Sequence, residues 1–507
     1  MNRLGIVDLG SNTARLVVYS YEPGEWYRLT DQLREPVRLG EGLGKDGALT
    51  TGAQERAEMA LRLFARYAAS TDLLELEILG TSALRDATNQ EQFLERIRPL
   101  DLQLSIVSGE EEAGLGALAV ANGFEFEDAW IMDLGGGSAQ ISLMRQRKFV
   151  RGEAYPLGGV RLTEQFFASD PPKAKEVKDL EAHLGDLLGG VVDRIQAEEL
   201  PFVAMGGTIR NLARAVQKRN QYPLIDRLHG YFLEARDLAE ITDELLESKV
   251  RKRSHISGIK TDRADIIAAG AVVFRWLVRV CDIKGIWISG DGLREGALMR
   301  QFLPPPHLIE GLRAFSVGNV LQHYTQSREY VAQTRHLAGR LFTELQPLHC
   351  FGEREGDLID AAALMQDIGL AVNYYRHDRH GEYLVSSARL NGFTHREQAL
   401  LALLVRYHLR GKPRLGSYES ICRPGDKRLL DTLAACLRIA DHLERPRAQR
   451  IRDVEVEIGE EEVVVRVIAA DDSVLELWEM EQHYPVFESA FGRRLVVESR
   501  PPASAAD

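Results

Sequence analysis

The chain has 507 residues, of which 45% are hydrophobic, 27% charged and 7% aromatic. That is the balance of a globular protein with several domains, and it excludes a small single module, a disordered chain and a membrane-spanning one. Lys and Arg number 63 against 75 Asp and Glu, and the net charge of −12 disfavours a dedicated nucleic-acid binder unless positive charge is gathered in one place.

The N-terminus, MNRLGIVDLGSN, enters a strand-like run with no apolar leader, the pattern of a cytoplasmic protein. From Arg3 to Leu303, short apolar runs (RLGIVD, LEILG, LQLSIVS, AWIMDLG, QISLM, PFVAMGG, KGIWISGDG) alternate with helical periodicity, which predicts an α/β architecture. Pro304 to Pro306 stop the last of these helices, so a new domain is expected near His307. Stretches such as LIDAAALMQDIGLAV and EQALLALLVRYHL make the segment from Arg313 to Arg447 all-helical. After Pro446, VEVEIGEEEVVVRVIAADDSVLELWEME reads as alternating strands with an acidic face, a small β-rich appendix ending in a fraying RPPASAAD. Cys281, Cys350, Cys422 and Cys436 are widely spaced, form no CxxC pair and read as free structural thiols.

Charge is uneven along this order. Between Ala371 and Arg450, 15 basic residues face 8 acidic ones, a local +7 that leaves −19 for the rest. Five histidines (His377, His380, His395, His408, His442) lie in the same segment. The runs YYRHDRH, RYHLRGKPR and RPGDKR point to a polyanionic partner.

An internal repeat carries the chemistry. DLGSNTARLVV (from Asp8) and DLGGGSAQISL (from Asp133) each follow an apolar strand, make a tight polar turn and enter a second strand, 125 residues apart. This predicts a duplicated lobe whose two loops face each other across a cleft. Glycines there let backbone N–H groups approach an anion, while Ser11, Asn12, Thr13 and Ser138 add donors. Asp8 and Asp133, at strand ends, suit Mg²⁺, which takes one or two carboxylates with phosphate oxygens completing its shell. MGGTIRNLA (with Gly207 and Thr208) and SGDGLREGAL each follow a strand and open a helix, a ready anion site. GTSALRDA sets Thr81, Ser82 and Arg85 after a strand, where a guanidinium can bind phosphate oxygens. SGEEEAGL begins a helix with three glutamates about 100° apart, so one of them faces the cleft as a general base.

DLGSN, GTSALRDA, SGEEEA, DLGGGS, GGT and SGDGLREGAL, in this order, resemble the exopolyphosphatase and guanosine pentaphosphate phosphohydrolase (Ppx/GppA) family over essentially the whole chain. The resemblance implies two actin-like α/β lobes (1–124 and 125–305), an HD-like helical domain (306–446), a small C-terminal β-rich domain (447–507) and a homodimer. By motif position it implies Glu112 as catalytic glutamate and Arg85 close to the scissile phosphate. Asp133 matches the metal-associated aspartate, Asp8, Ser11 and Asn12 the first phosphate loop, and Gly136, Gly137 and Ser138 the second. Gly114 stands where many relatives carry Arg. HD hydrolases bind metal through a His, a His-Asp pair and a later Asp; the aligned residues here are His336, Gln366-Asp367 and Asp441, and the amide at 366 makes that domain catalytically inactive by expectation. Its basic stretch (Arg406, His408, Arg410, Lys412, Arg414) is expected to form a passage for long polyphosphate.

The activity implied is a processive, Mg²⁺-assisted exopolyphosphatase in which Glu112 orients the attacking water. The alternatives are a pppGpp 5′-phosphohydrolase with the same machinery, a small-molecule kinase of the same superfamily, and a non-catalytic polyphosphate or alarmone sensor.

Overall fold

The computed structural model describes the chain apart from residues 1, 44–46, 72, 74, 225, 325–327, 470–473, 482 and 502–507; most of the tail expected to fray lies outside the described residues. Two compact units are present, divided between Leu312 and Arg313.

The first unit holds two mixed sheets. In one, β1 (Asn2–Leu9), β2 (Ala14–Glu22), β3 (Trp26–Glu35), β4 (Glu75–Gly80) and β5 (Leu104–Ile106) run in the order β3-β2-β1-β4-β5. The first three are antiparallel, and β4 and β5 continue parallel to β1. In the other, β6 (Ala129–Leu134), β7 (Ala139–Arg145), β8 (Lys148–Tyr155), β9 (Phe202–Met205), β10 (Tyr231–Glu234) and β11 (Gly285–Ile288) run β8-β7-β6-β9-β11-β10. The same order therefore recurs, with one added edge strand, and the repeated Asp-Leu-Gly marks the first hairpin of each sheet. Two lobes of recurring strand order are present, as the repeated motif predicts. Their central strands read clearly in the sequence because they are buried on both faces, as the continuous burial of Leu4–Val7 and of Ala129–Met132 shows.

Helix Thr51–Ser70, capped by Thr50, packs Ala53, Ala57, Leu61 and Phe64 onto the first sheet. The second sheet is covered on one face by helices that include the nearly all-buried Ile267–Val280. Its other face carries Gly109–Ala121, whose Ala117, Val120 and Ala121 pack with Ile131, Met144 and Val203. That helix lies before residue 124, where a boundary was expected between the lobes, yet it belongs by packing to the second sheet. Small residues allow this: a Cβ on Gly152 of β8 would come within 2.5 Å of Ala113.

The expected break near His307 also shifts. Asn122 Nδ2 donates to the His307 carbonyl (2.9 Å), Ile309 N–H donates to Asn122 Oδ1 (2.7 Å), and Arg147 Nη2 donates to the Ile309 carbonyl (2.8 Å). These bonds hold the segment after the prolines on the first unit.

The second unit is helical from Arg313 to Leu443, with Asp426–Leu443 almost wholly buried at its centre. A three-stranded sheet follows: β12 (Ile451–Ile458), β13 (Glu462–Ala469) and β14 (Arg494–Arg500), with β13 and β14 parallel. VLELWEME, expected as strand, is instead the helix Val474–Glu481. Its alternation misleads because Leu, Glu and Met favour helix, and Glu476 and Met480, four apart, are the buried pair. Among the described residues no helix is long and apolar enough to cross a membrane, and the four cysteines are free thiols.

Candidate active site

Both Asp-Leu-Gly turns and both later glycine-rich turns open onto one cleft of about 230 Å³ in the first unit. Asp8, Ser11, Asn12, Thr81, Glu112, Asp133, Gly136, Ser138 and Gly207, all expected in the site, line it. Gly137 and Thr208 do not. Gly137 is buried between the loops, where a Cβ would lie 2.5 Å from both Ser11 Oγ and Ser82 Oγ. Those two hydroxyls hydrogen-bond at 3.0 Å, so the glycine lets the two lobes' loops meet. Thr208 is buried near Gly270 instead.

Ser108 caps helix Gly109–Ala121 by accepting from the Glu111 N–H (3.1 Å) and thereby fixes which glutamate enters the cleft. Glu110 is exposed, Glu111 reaches Arg300 (3.4 Å), and Glu112 points inward. Arg85 Nη1 donates to Glu112 Oε2 (3.1 Å) and to the Val107 carbonyl (2.9 Å). Arg85 therefore sits behind the glutamate and holds it, rather than lining the cleft. Burial pushes the Glu112 carboxyl up to about 8, with Asp133 and Asp8 adding to the rise and Arg85 opposing it.

Asp133 is pushed up to about 6 by burial, with Asp8 raising it further and Arg210 opposing; Asp8 is likewise raised by burial, against Arg294 and Arg15. Neither carboxylate makes an ion pair or side-chain hydrogen bond among the described residues. Two half-buried carboxylates, both desolvated and without a donor, the charge of Asp8 raising Asp133 further, are a donor set suited to a hard divalent cation. Gly206, at φ +101°, brings the start of helix Gly207–Arg219 against Asp133; a Cβ there would lie 2.9 Å from Asp133 Oδ1.

Sequence reasoning missed the cleft's cations. Arg15, Arg34, Arg210, Arg214, Lys260, Arg263 and Arg294 line it beside only three acids. Arg210 is aimed by donating to the Ser289 and Asp291 carbonyls (2.9 and 2.8 Å). Arg34 pairs with Asp262, and Arg214 with Asp226 at 2.7 Å. Arg263 lies over the Cα of Gly207. Burial, then Arg294 and Arg210, push Arg15 down to about 10, and burial lowers Arg210 and Arg263 as well. Cations crowded until they oppose one another's charge are stabilised by a polyanion. Arg15, Arg210 and Arg294 stood inside quoted motifs, but the glycines and hydroxyls drew the reading; Arg34, Arg214, Lys260 and Arg263 lie outside those motifs.

In the second unit two expectations change. His336 is exposed and bonds Asp453 (3.2 Å), so it does not meet Gln366 or Asp441. Gln366 Nε2 donates to Tyr330 Oη (3.1 Å) and Asp441 Oδ1 (3.2 Å), so Tyr330 stands where His336 was expected. Of the expected passage, Arg410, Lys412 and Arg414 are exposed. Arg406 is instead paired with Asp378 and Glu382, and His408 is 1% exposed beside Asp367, so neither offers a free charge.

Known proteins resemble this chain over most of its length. Residues 17–304 match the Ppx/GppA phosphatase family and residues 312–483 match Ppx/GppA phosphatase domain III. The chain is 24% identical over 448 residues to a guanosine-5′-triphosphate,3′-diphosphate pyrophosphatase of Vibrio vulnificus, covering 87% of each. It is 30% identical over 306 residues to exopolyphosphatase 1 of Mycobacterium tuberculosis, covering 59% of this chain and 88% of that protein. Among solved structures, an exopolyphosphatase from Cytophaga hutchinsonii shares the fold (TM-score 0.56, 22% identity, 59% of this chain and 98% of that one). The PPX-GPPA enzyme of Aquifex aeolicus matches with a TM-score of 0.50 and 28% identity, over 59% of this chain and 98% of its own. With the duplicated lobes, the two facing loops and family matches over residues 17–304 and 312–483, this chain belongs to the Ppx/GppA phosphatases and is a hydrolase of that family.

Proposed function

We propose that the cleft hydrolyses the terminal phosphate of inorganic polyphosphate. The observation that carries this reading is its lining: seven basic side chains and the glycine-rich loops surround Glu112, while Leu293 is the one large apolar residue and no aromatic is present among the described residues. A phosphate chain finds partners at every oxygen there, and a nucleobase finds no stacking surface.

Ser11, Asn12, Thr81 and Ser138, with the loop amides, hold the terminal phosphoryl group, and Arg210 and Arg294 offset its charge as it transfers. Glu112, oriented by Arg85, positions the attacking water and accepts its proton; a carboxylate raised to about 8 is well matched to that task near neutral pH. Asp8 and Asp133 are the residues that would hold Mg²⁺, which supplies further neutralisation of phosphate charge when bound. Exposed Arg410, Lys412 and Arg414 assist binding of long chains and processive turnover. A homodimer follows from the resemblance alone.

The second reading, hydrolysis of pppGpp at the same site, is favoured by the Vibrio relative, whose match spans 87% of the chain. Phosphate release with Mg²⁺ from long-chain polyphosphate, tripolyphosphate and pppGpp separates the two. Fast release from long chains, abolished by Glu112→Gln, supports the exopolyphosphatase; release confined to pppGpp overturns it, and tight binding without release points to a sensor.

A further inference from the structure

The geometry points to a transition-metal site in the second unit, formed by Asp367, His377 and His408. The residues come from three places in the chain: Asp367 just beyond helix Glu353–Met365, His377 at the start of helix His377–Ser387, and His408 at the end of helix His395–Tyr407. All three are buried, and their ligating atoms lie within 4.8 Å of one another. The two imidazole Nε2 atoms stand 3.5 and 3.8 Å from Asp367 Oδ1.

These separations are too long for direct N–H···O hydrogen bonds, which fall at about 2.7–3.2 Å. They suit donors around a shared ion: metal–ligand distances of about 2.0–2.2 Å place donor atoms roughly 3 to 4 Å apart. The tautomers agree. His377 Nδ1 lies 2.9 Å from the Tyr374 carbonyl and His408 Nδ1 lies 2.7 Å from the Val405 carbonyl. A carbonyl only accepts, so each Nδ1 carries a proton, and the other nitrogen, Nε2, faces the carboxylate as the atom left to ligate a metal. Three buried ligating atoms converge on one point, and a cation there satisfies all of them at once.

Backbone-anchored Nδ1–H groups are the outer support that metal-ligating histidines require. Asp367 has such support as well: Arg447 Nη2 donates to Oδ2 at 2.8 Å, which leaves Oδ1 for the ion, and the same guanidinium lies over the Tyr330 ring. Two imidazoles and one carboxylate select a first-row transition ion such as Zn²⁺, Mn²⁺ or Fe²⁺ over Mg²⁺, and three protein ligands leave coordination positions for water or a ligand oxygen. The amide at Gln366 therefore does not end metal chemistry in this unit, because the donor set excludes it. The site is separate from the Mg²⁺ expected at Asp8 and Asp133.

The test uses the full chain, stripped with a chelator and then given Co²⁺ in the presence of excess Mg²⁺. One Co²⁺ per chain should survive desalting, with the visible absorption of nitrogen-ligated Co²⁺, and pulsed EPR of the Cu²⁺-loaded chain should show two coupled imidazoles. His377→Gln and Asp367→Asn should each weaken retention at least tenfold and abolish any Zn²⁺-dependent rise in Tm. Their melting in chelator, matched to the unsubstituted chain in chelator, establishes that they fold. Less than a tenth of an equivalent of Co²⁺ on the unsubstituted chain, or no imidazole coupling in its Cu²⁺ spectrum, overturns the proposal whether or not the variants fold.

Discussion

Glu112 is the residue on which pH should act most visibly. Its carboxyl rises from the ordinary 4.5 to about 8, so a general base there makes kcat/KM climb with pH until about 8, and Glu112→Gln should lower kcat by about 10² to 10⁴ and remove that limb. The same shift has a stability consequence of opposite sense. A raised carboxyl means the folded chain binds the proton more tightly than the unfolded one, so stability is full below pH 4.5 and falls as pH rises toward 8. Glu112→Gln is free of this loss. The two proteins should melt alike near pH 4.5, and the variant should melt higher at pH 8, by no more than about 1.4 kcal/mol for each pH unit crossed; a variant that melts lower at pH 8 would show that Glu112 is charged and well solvated. Arg85 supplies a second check. It opposes the rise, so Arg85→Met should move the ascending limb to higher pH by about a unit, whereas a uniform loss of rate without displacement would place Arg85 on the substrate instead.

At the scale of elements, the loops depend on how closely the two hairpins approach. Gly137→Ala sets a methyl 2.5 Å from Ser11 Oγ and Ser82 Oγ, so their mutual hydrogen bond must break or the second loop must retreat. The expected outcome is a KM raised about tenfold with a smaller change in kcat, and a stability loss of about 1 to 3 kcal/mol typical of overpacking. Unchanged KM in steady-state assays would mean that this junction does not set the phosphate site. These elements also show what the sequence made legible. Six of the seven named runs are strands that are apolar and mostly buried, the half-buried LQLSIVS being the exception, and the glycine-rich turns announce themselves by composition. β3, β8 and β10 were not singled out because they lie toward sheet edges and carry many exposed residues, such as Arg28 to Gln32 and Arg151, so no continuous apolar run marks them. Helix Val474–Glu481 was hidden by an alternation that its buried pair does not follow. The cations of the cleft were invisible for a different reason: Arg15 and Arg34 sit on strands, Arg210 and Arg294 on two helices, and Lys260 and Arg263 beside a short turn. Only the fold brings them together, and no spacing along the chain records it.

Across the whole molecule, a net charge of −12 coexists with a phosphate-sized cleft lined by seven cations and three acids. An acidic surface repels polyphosphate at long range, so affinity rests on local basic clusters and should fall steeply with salt. The segment Ala371–Arg450 first suggested where a second cluster lies, but much of its positive charge is already matched. Arg396 pairs with Asp426, Lys427 with Asp431, Arg406 with Asp378 and Arg447 with Asp367. Arg376, Arg379 and Arg423 are exposed elsewhere in the segment, and Arg410, Lys412 and Arg414 remain exposed and form one short stretch open to a long chain. Replacing these three with Ser should weaken binding of long-chain polyphosphate about tenfold and reduce the slope of log affinity against log salt by one to three, with tripolyphosphate affected little. Arg406→Ser serves as the control: it breaks an ion pair without removing an exposed charge, so it should leave that slope unchanged. Equal losses on short and long chains, or a salt slope that answers to Arg406 and not to the three exposed residues, would assign long-chain recognition to the cleft alone.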